Sequence, residues 1–241
     1  MDTRKIARIT GWLFIVTFVV GIPPALALYL PVLDDARYVL GGGADTRIAL
    51  GAFLEMVLIV ANIGTAVALF PLLKRQSEGL ALGYVTARLV ECAFIAVGLL
   101  ALLAVVTLRQ DVGSTADAGS LVTAARSLVA VHDWTFILGP GWVVGVGNGL
   151  ILGYLMYRSG LVPRGMAMLG LIGGPLIILS GTAVILNVIE PASTWQILAT
   201  VPEFFWELSL GIYLIVKGFR SSPVTTDDAA PVATERVLVP A

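Results

Sequence analysis

Six apolar stretches, at residues 9–30, 48–73, 80–107, 134–157, 166–188 and 197–216, make up most of this chain, and their length dictates the solvent in which it folds. The hydrocarbon core of a bilayer is about 30 Å thick, which a helix rising about 1.5 Å per residue crosses in about 20 residues. Each stretch meets that length. Lipid offers no partner to backbone N–H and C=O groups, so a crossing segment must satisfy them internally, and these stretches are too long for tilted barrel strands. The predicted fold class is therefore all-α: a polytopic membrane protein with a six-transmembrane-helix bundle over residues 1–220. Residues 221–241, with Pro, Thr, Ala, Val and Asp in no period, predict a disordered cytoplasmic tail.

Composition excludes several functions. With 58% hydrophobic and 13% charged residues, the chain is far from the roughly 25% charged of a soluble domain. A net charge of −1 offers no cationic face for a phosphate backbone, so nucleic acid is not an expected partner, whereas the lipid bilayer is. Cys92 is the single cysteine, which excludes an internal disulfide and a cysteine-based zinc site. His132 is the single histidine and cannot build a multi-histidine metal centre. No spacing matches a metal or phosphate motif, so neither metal nor cofactor is expected.

Orientation follows from Lys and Arg near span ends, which are retained in the cytoplasm. Arg4, Lys5, Arg8, Lys74, Arg75, Arg158, Arg164, Lys217 and Arg220 fall on one side, against Arg37, Arg47, Arg109 and Arg126 on the other. Both termini are predicted to be cytoplasmic. The basic start, the apolar run and Ala25-Leu26-Ala27 imitate a cleaved secretory signal, but the run continues to Leu30 and is read as the first span. In the outer connection at residues 108–133, Leu121, Val122, Ala125, Leu128 and Val129 recur near a period of 3.6. They predict either an interfacial helix or an outward extension of the fourth span.

Gly141, Gly145, Gly149 and Gly153 recur every fourth residue and form one smooth stripe on the fourth span. Small residues at that spacing let a second backbone approach, either within the bundle or across a homodimer seam. Pro140 and Pro175 predict kinks, as does Pro202 unless it lies in a first turn. Asn148 and Asn187 are expected to hydrogen-bond between helices, and Trp12, Trp134 and Trp195 to mark the interfaces.

Ionisable residues inside the spans carry whatever function the sequence displays. A central charge costs about 2.5–3.5 kcal/mol even on the lower scales, so such groups should face the bundle and pair. Arg88 and Glu91 share a helix face with Tyr84, about 12 and 16 Å into the membrane counted from Leu80. Glu207 lies about 15 Å from Lys217, with Glu203 one turn outward, and Glu55 and Asn62 share a face of the second helix. One guanidinium thus stands against four carboxyls: Glu55, Glu91, Glu203 and Glu207. A surplus acid is a proton carrier, a seat for a cation, or a neutral hydrogen-bonded group that orders the bundle. His132, with Asp133 at the outer mouth of the fourth span, reads first as a capping or interfacial residue.

The segments Arg88-Leu-Val-Glu91, His132, Leu155-Met-Tyr157-Arg158-Ser159-Gly160-Leu-Val-Pro163-Arg164, Pro202-Glu203 with Glu207, and Leu214-Ile-Val-Lys217-Gly218-Phe219 resemble the bacterial membrane family catalogued as domain of unknown function 4386. The resemblance covers about residues 5–219. It implies a six-helix protein of the bacterial cytoplasmic (inner) membrane, with Arg88, Glu91, His132, Pro202 and Glu207 as its polar signature, and it implies no activity.

Three functions remain open from sequence. The first is a binder or carrier of a small, cationic or protonatable ligand, with Glu55, Arg88, Glu91, His132, Glu203 and Glu207 as candidate ligand-binding residues and a pocket opening outward. The second is a membrane-embedded enzyme using His132 with a carboxylate on a lipid or quinone. The third is a structural protein packing, as a homodimer, through Gly141, Gly145, Gly149 and Gly153.

Overall fold

A computed structural model describes residues 2–35, 37–41, 44–111 and 117–225. Six helices are long and apolar enough to cross a membrane: Thr3–Leu28, Asp45–Leu73, Glu78–Gln110, Ala118–Ser159, Arg164–Ile185 and Thr194–Val216. In chain order the elements are α1 (Thr3–Pro23) with a π-helical turn at Pro24–Leu28, the short α2 (Leu30–Leu33), α3 (Asp45–Leu73), α4 (Glu78–Asp111) and α5 (Ala118–Leu138). Two π-helical segments, Gly139–Val143 and Gly145–Leu152, carry α5 without a break into α6 (Gly153–Ser159), followed by α7 (Arg164–Ile185) and α8 (Thr194–Val216). The protein is a multi-pass membrane protein.

The fourth crossing differs from the expected residues 134–157. It begins at Ala118, so the periodic segment Leu121–Val129 is an outward extension of this helix and not a separate interfacial one. Its buried face explains the choice. Leu121, Val122, Ala125, Leu128 and Val129 pack against Tyr29, Val32, Tyr38 and Val39 of the connection that folds over that end. Asp117 caps the helix by accepting from the Ser120 backbone at 2.9 Å and from its hydroxyl at 2.8 Å, which holds the Asp117 carboxyl below its ordinary range.

The helices close into a ring in which α1 packs on α3, α3 on α4, α4 on the fourth crossing, that crossing on α7, α7 on α8, and α8 back on α1. The α5 part leans on α4, and α7 meets the crossing from Gly139 onward, along the π-helical segments and α6. Pro140 opens the first π-helical segment, as expected where a missing N–H interrupts the α-helical ladder. Pro202 lies well inside α8 rather than in its first turn.

Two apolar clusters form the core. One fills the end carrying both chain termini, with Phe14, Leu69, Leu72, Tyr84, Leu152, Met156, Trp206 and Leu210. The other sits at the opposite end, around Tyr29, Val32, Ile48, Leu102 and Val105, and involves α3, α4, α5 and the connection after α1 but neither α7 nor α8. Each end is tied by charge. The Arg4 guanidinium donates to the carbonyls of Val216, at 3.0 Å, and Lys217, joining the ends of α1 and α8. At the opposite end Asp45 pairs with Arg109 and accepts from the Tyr38 hydroxyl at 2.5 Å. The stretch after α8 returns to the bundle: Arg220 N–H donates to Leu161 at 2.8 Å and Ser222 Oγ to Ser159 at 2.8 Å. Residues 226–241, most of the expected tail, lie outside the described residues.

The glycine stripe packs inside the bundle. A Cβ on Gly145 would stand 2.6 Å from the Gly174 carbonyl, one on Gly149 2.4 Å from the Gly174 Cα, and one on Gly153 3.3 Å from the Leu171 nitrogen, so α7 occupies the groove. Gly141 is met by Gly181 of the same helix, whose Cβ would lie 3.0 Å from its carbonyl. This contact is the van der Waals packing that holds helices together where lipid removes the hydrophobic drive. Asn187 departs from its expected interhelical role: it is exposed and takes φ 55° just past α7, a left-handed position that Asn tolerates. Gly149→Ala should lower stability by about 1–3 kcal/mol, whereas Gly79→Ala, which meets nothing within 4 Å, should be nearly neutral. Thermal unfolding in nanodiscs checks both.

Candidate functional site

Between the two apolar clusters the bundle is polar. Arg88, on α4 and only 2% exposed, directs one terminal nitrogen to Glu91 Oε2 at 2.7 Å and the other to Asn62 Oδ1 at 2.6 Å and Thr65 Oγ1 at 3.4 Å. Asn62 Nδ2 donates to the second Glu91 oxygen at 3.1 Å. The amide therefore bridges both charges, with its oxygen on the cation and its nitrogen on the anion. Helix spacing makes the Arg88–Glu91 contact on one face, and α3 supplies the rest. This closed triangle supports the buried charge.

A second acidic pair lies on α8. Asn148 donates through Nδ2 to Glu207 Oε1, and the backbone carbonyl of Asn148 accepts from Trp206 Nε1 at 3.0 Å. That carbonyl lies in the π-helical segment Gly145–Leu152, where the altered ladder leaves acceptors for side chains. One turn away, Glu203 is 2% exposed and neither of its carboxyl oxygens has a hydrogen-bond partner among the described residues. Its carboxyl fits a slot made by glycines: a Cβ on Gly173 would lie 2.7 Å from Oε2 and one on Gly149 2.9 Å from it. The same stripe that seats α7 thus makes room for an acid.

Nearer the opposite end, the Tyr29 hydroxyl donates to Glu55 Oε2 at 2.9 Å, while the Tyr29 ring meets His132 edge-on, with centroids 5.7 Å apart. His132 Nδ1 lies 3.3 Å from Asp133 Oδ1. Among the described residues no hydrogen bond joins His132 directly to Glu55 or Glu207, and no group of three or more His, Cys, Asp or Glu is placed to hold a metal.

All three clusters face one cavity of about 230 Å³. Glu55, Arg88, Glu91, His132, Glu203 and Glu207 line it together, with Asn62, Thr17 and Thr135, and the remaining wall is largely apolar, including Phe18, Leu58 and Ile95. Every crossing contributes. The candidate residues named from sequence lie on the second, third, fourth and sixth crossings; α1 and α7 line the cavity as well, through Thr17, Phe18, Gly21 and Ile177. Tyr29 and Thr65 were not singled out from sequence, and Asn62 was placed beside Glu55 whereas it serves Arg88. The available signal was the offset of Thr65 by three residues from Asn62, which puts both on one helical face. Trp206 is fully buried against Gly170.

The family model described as Domain of unknown function (DUF4386) matches residues 9–218. No curated protein and no solved structure matches the chain. The triangle itself yields a prediction: Arg88→Met leaves Glu91 buried without its cation and should cost about 3–5 kcal/mol. Adding Glu91→Gln should return at least half of that loss, as read from unfolding temperatures of the single and double variants.

Proposed function

Because the chain belongs to the family of domain of unknown function 4386, which is defined without an activity, we propose from the geometry alone that it binds or carries a small cationic or protonatable ligand in the cavity between the apolar clusters. The observation that supports this most directly is the surplus of acid. Arg88, the single guanidinium in the wall, is taken up by Glu91 and Asn62. Among the described residues Glu203 has no hydrogen-bond partner, Glu207 has only an amide, and Glu55 only a phenol. An ammonium group entering the cavity supplies the donors that Glu203 and Glu207 lack, in surroundings where a charge-assisted hydrogen bond is strong. Arg88 and Glu91 are then the fixed frame, and Glu207 is the acid whose ionisation admits the ligand.

The bacterial inner membrane is the location that the family resemblance implies, and the distribution of basic residues supports both termini in the cytoplasm and the His132 end outside. A membrane-embedded enzyme is the second reading, and one contact favours it: His132 lines the cavity with Asp133 on its Nδ1. That reading requires turnover of a lipid or quinone that stops in His132→Gln. The binding reading requires none.

The test uses butylamine as the probe, with the full chain in nanodiscs. Binding should be saturable and should weaken as pH falls and the acids take up protons. Glu207→Gln should lower the affinity at least tenfold while leaving the unfolding temperature within a few degrees of the parent. Unchanged affinity in Glu207→Gln contradicts the proposal.

A further inference from the structure

Resting on that reading, we infer that the cavity is entered sideways from the lipid, between α5 and α8, and that its ligand is an amphiphilic amine whose tail stays in the bilayer. The ring of helices is least closed there. The α5 part of the fourth crossing leans on α4, and α7 and α8 pack together beyond it. The apolar cluster at that end roofs the side formed by α3, α4 and α5 and stops short of α7 and α8.

Cavity-lining residues on either side of this gap are themselves exposed on the outer surface of the bundle: Ile22 on α1, Phe136 on α5, Thr200 and Phe204 on α8. Their depth places them against lipid. Counted from Lys217, Phe204 and Thr200 lie about 20 and 25 Å into the membrane, and Ile22 about 21 Å from Arg8. The rim they form spans the outer half of the hydrocarbon and carries no charge. A hydrated ion finds nothing there to replace its water, whereas an alkyl chain finds its own solvent.

A second hollow of about 270 Å³, lined by Asp34, Asp35, Arg126 and Asp133, lies toward the opposite end of the bundle and shares no lining residue with the inner cavity. His132, whose ring meets the buried Tyr29, lines the inner cavity, and its neighbour Asp133 lines the outer hollow. The inner volume also limits the ligand. About 230 Å³ lies below the roughly 300–1,000 Å³ of pockets that enclose a drug-sized molecule, so it holds an ammonium head and a few carbons. A longer tail must leave through the rim.

Two measurements on the full chain in phosphatidylcholine nanodiscs test this. The Glu207-dependent part of binding, taken as parent minus Glu207→Gln, should be at least tenfold tighter from water for octylamine than for butylamine, since each methylene left in lipid adds to the apparent affinity. An octylamine bearing a diazirine at its tail end should label peptides containing Ile22, Phe136 or Phe204. Octylamine binding no tighter than butylamine, or tail labelling confined to residues 34–39, overturns lateral entry while leaving the ammonium site intact. Absence of any Glu207-dependent binding for both amines removes the site as well.

Discussion

The guanidinium of Arg88 sits near the middle of an oily slab, and the rest of the bundle is arranged around keeping it there. An isolated cation at that depth is expensive. The structure meets the demand with one carboxylate on the same helix face and one amide from α3, each bonded to the other. The consequence is that both terminal nitrogens of Arg88 are engaged within this triangle, while its Nε has no hydrogen-bond partner among the described residues. Four carboxyls face one cation in the cavity wall, and the proposed binding site rests on this imbalance.

Packing then decides where the surplus acids stand. Gly145, Gly149 and Gly174 bring the fourth crossing and α7 to backbone contact, and the space left beside Gly149 and Gly173 receives the Glu203 carboxyl. Trp206 closes the floor of this region and holds the π-helical carbonyl of Asn148, whose side chain in turn holds Glu207. A helix that kept regular α-geometry through Gly139–Leu152 would present neither group in this way. The glycine pattern, the π-helical turns and the acidic pair are therefore one device rather than three separate features.

Much of this was legible in the sequence, for identifiable reasons. Hydropathy over about 20 residues reports lipid crossing directly, and the spacing of Arg88 and Glu91 reports a shared face, because both depend on local geometry alone. The start of the fourth crossing at Ala118 was left between two alternatives, since the period of Leu121–Val129 is the same whether its partner is lipid or the folded connection. Asn62 illustrates the limit differently. Its helix face was readable, but whether it served Glu55 or Arg88 depended on the rotation of α3 against α4, which no single-helix pattern encodes. Asn187 looked like an intramembrane amide by position and proved to be a turn residue because α7 ends at Ile185. The inward use of the glycine stripe likewise depended on Gly170, Gly174 and Gly181 of α7 meeting it.

The proposed site needs a chamber that a small cation can enter, flanked by acids in excess of Arg88, and substituted-cysteine labelling tests it most directly. Ile95 and Leu99 are one turn apart on α4 and similarly buried, yet Ile95 lines the cavity and Leu99 does not. In a Cys92→Ala background, the cationic reagent 2-aminoethyl methanethiosulfonate should modify Ile95→Cys at least tenfold faster than Leu99→Cys, with the difference shrinking in Glu207→Gln. Equal rates at the two positions, or no reaction at either, would contradict the chamber and leave a dry, fully packed bundle.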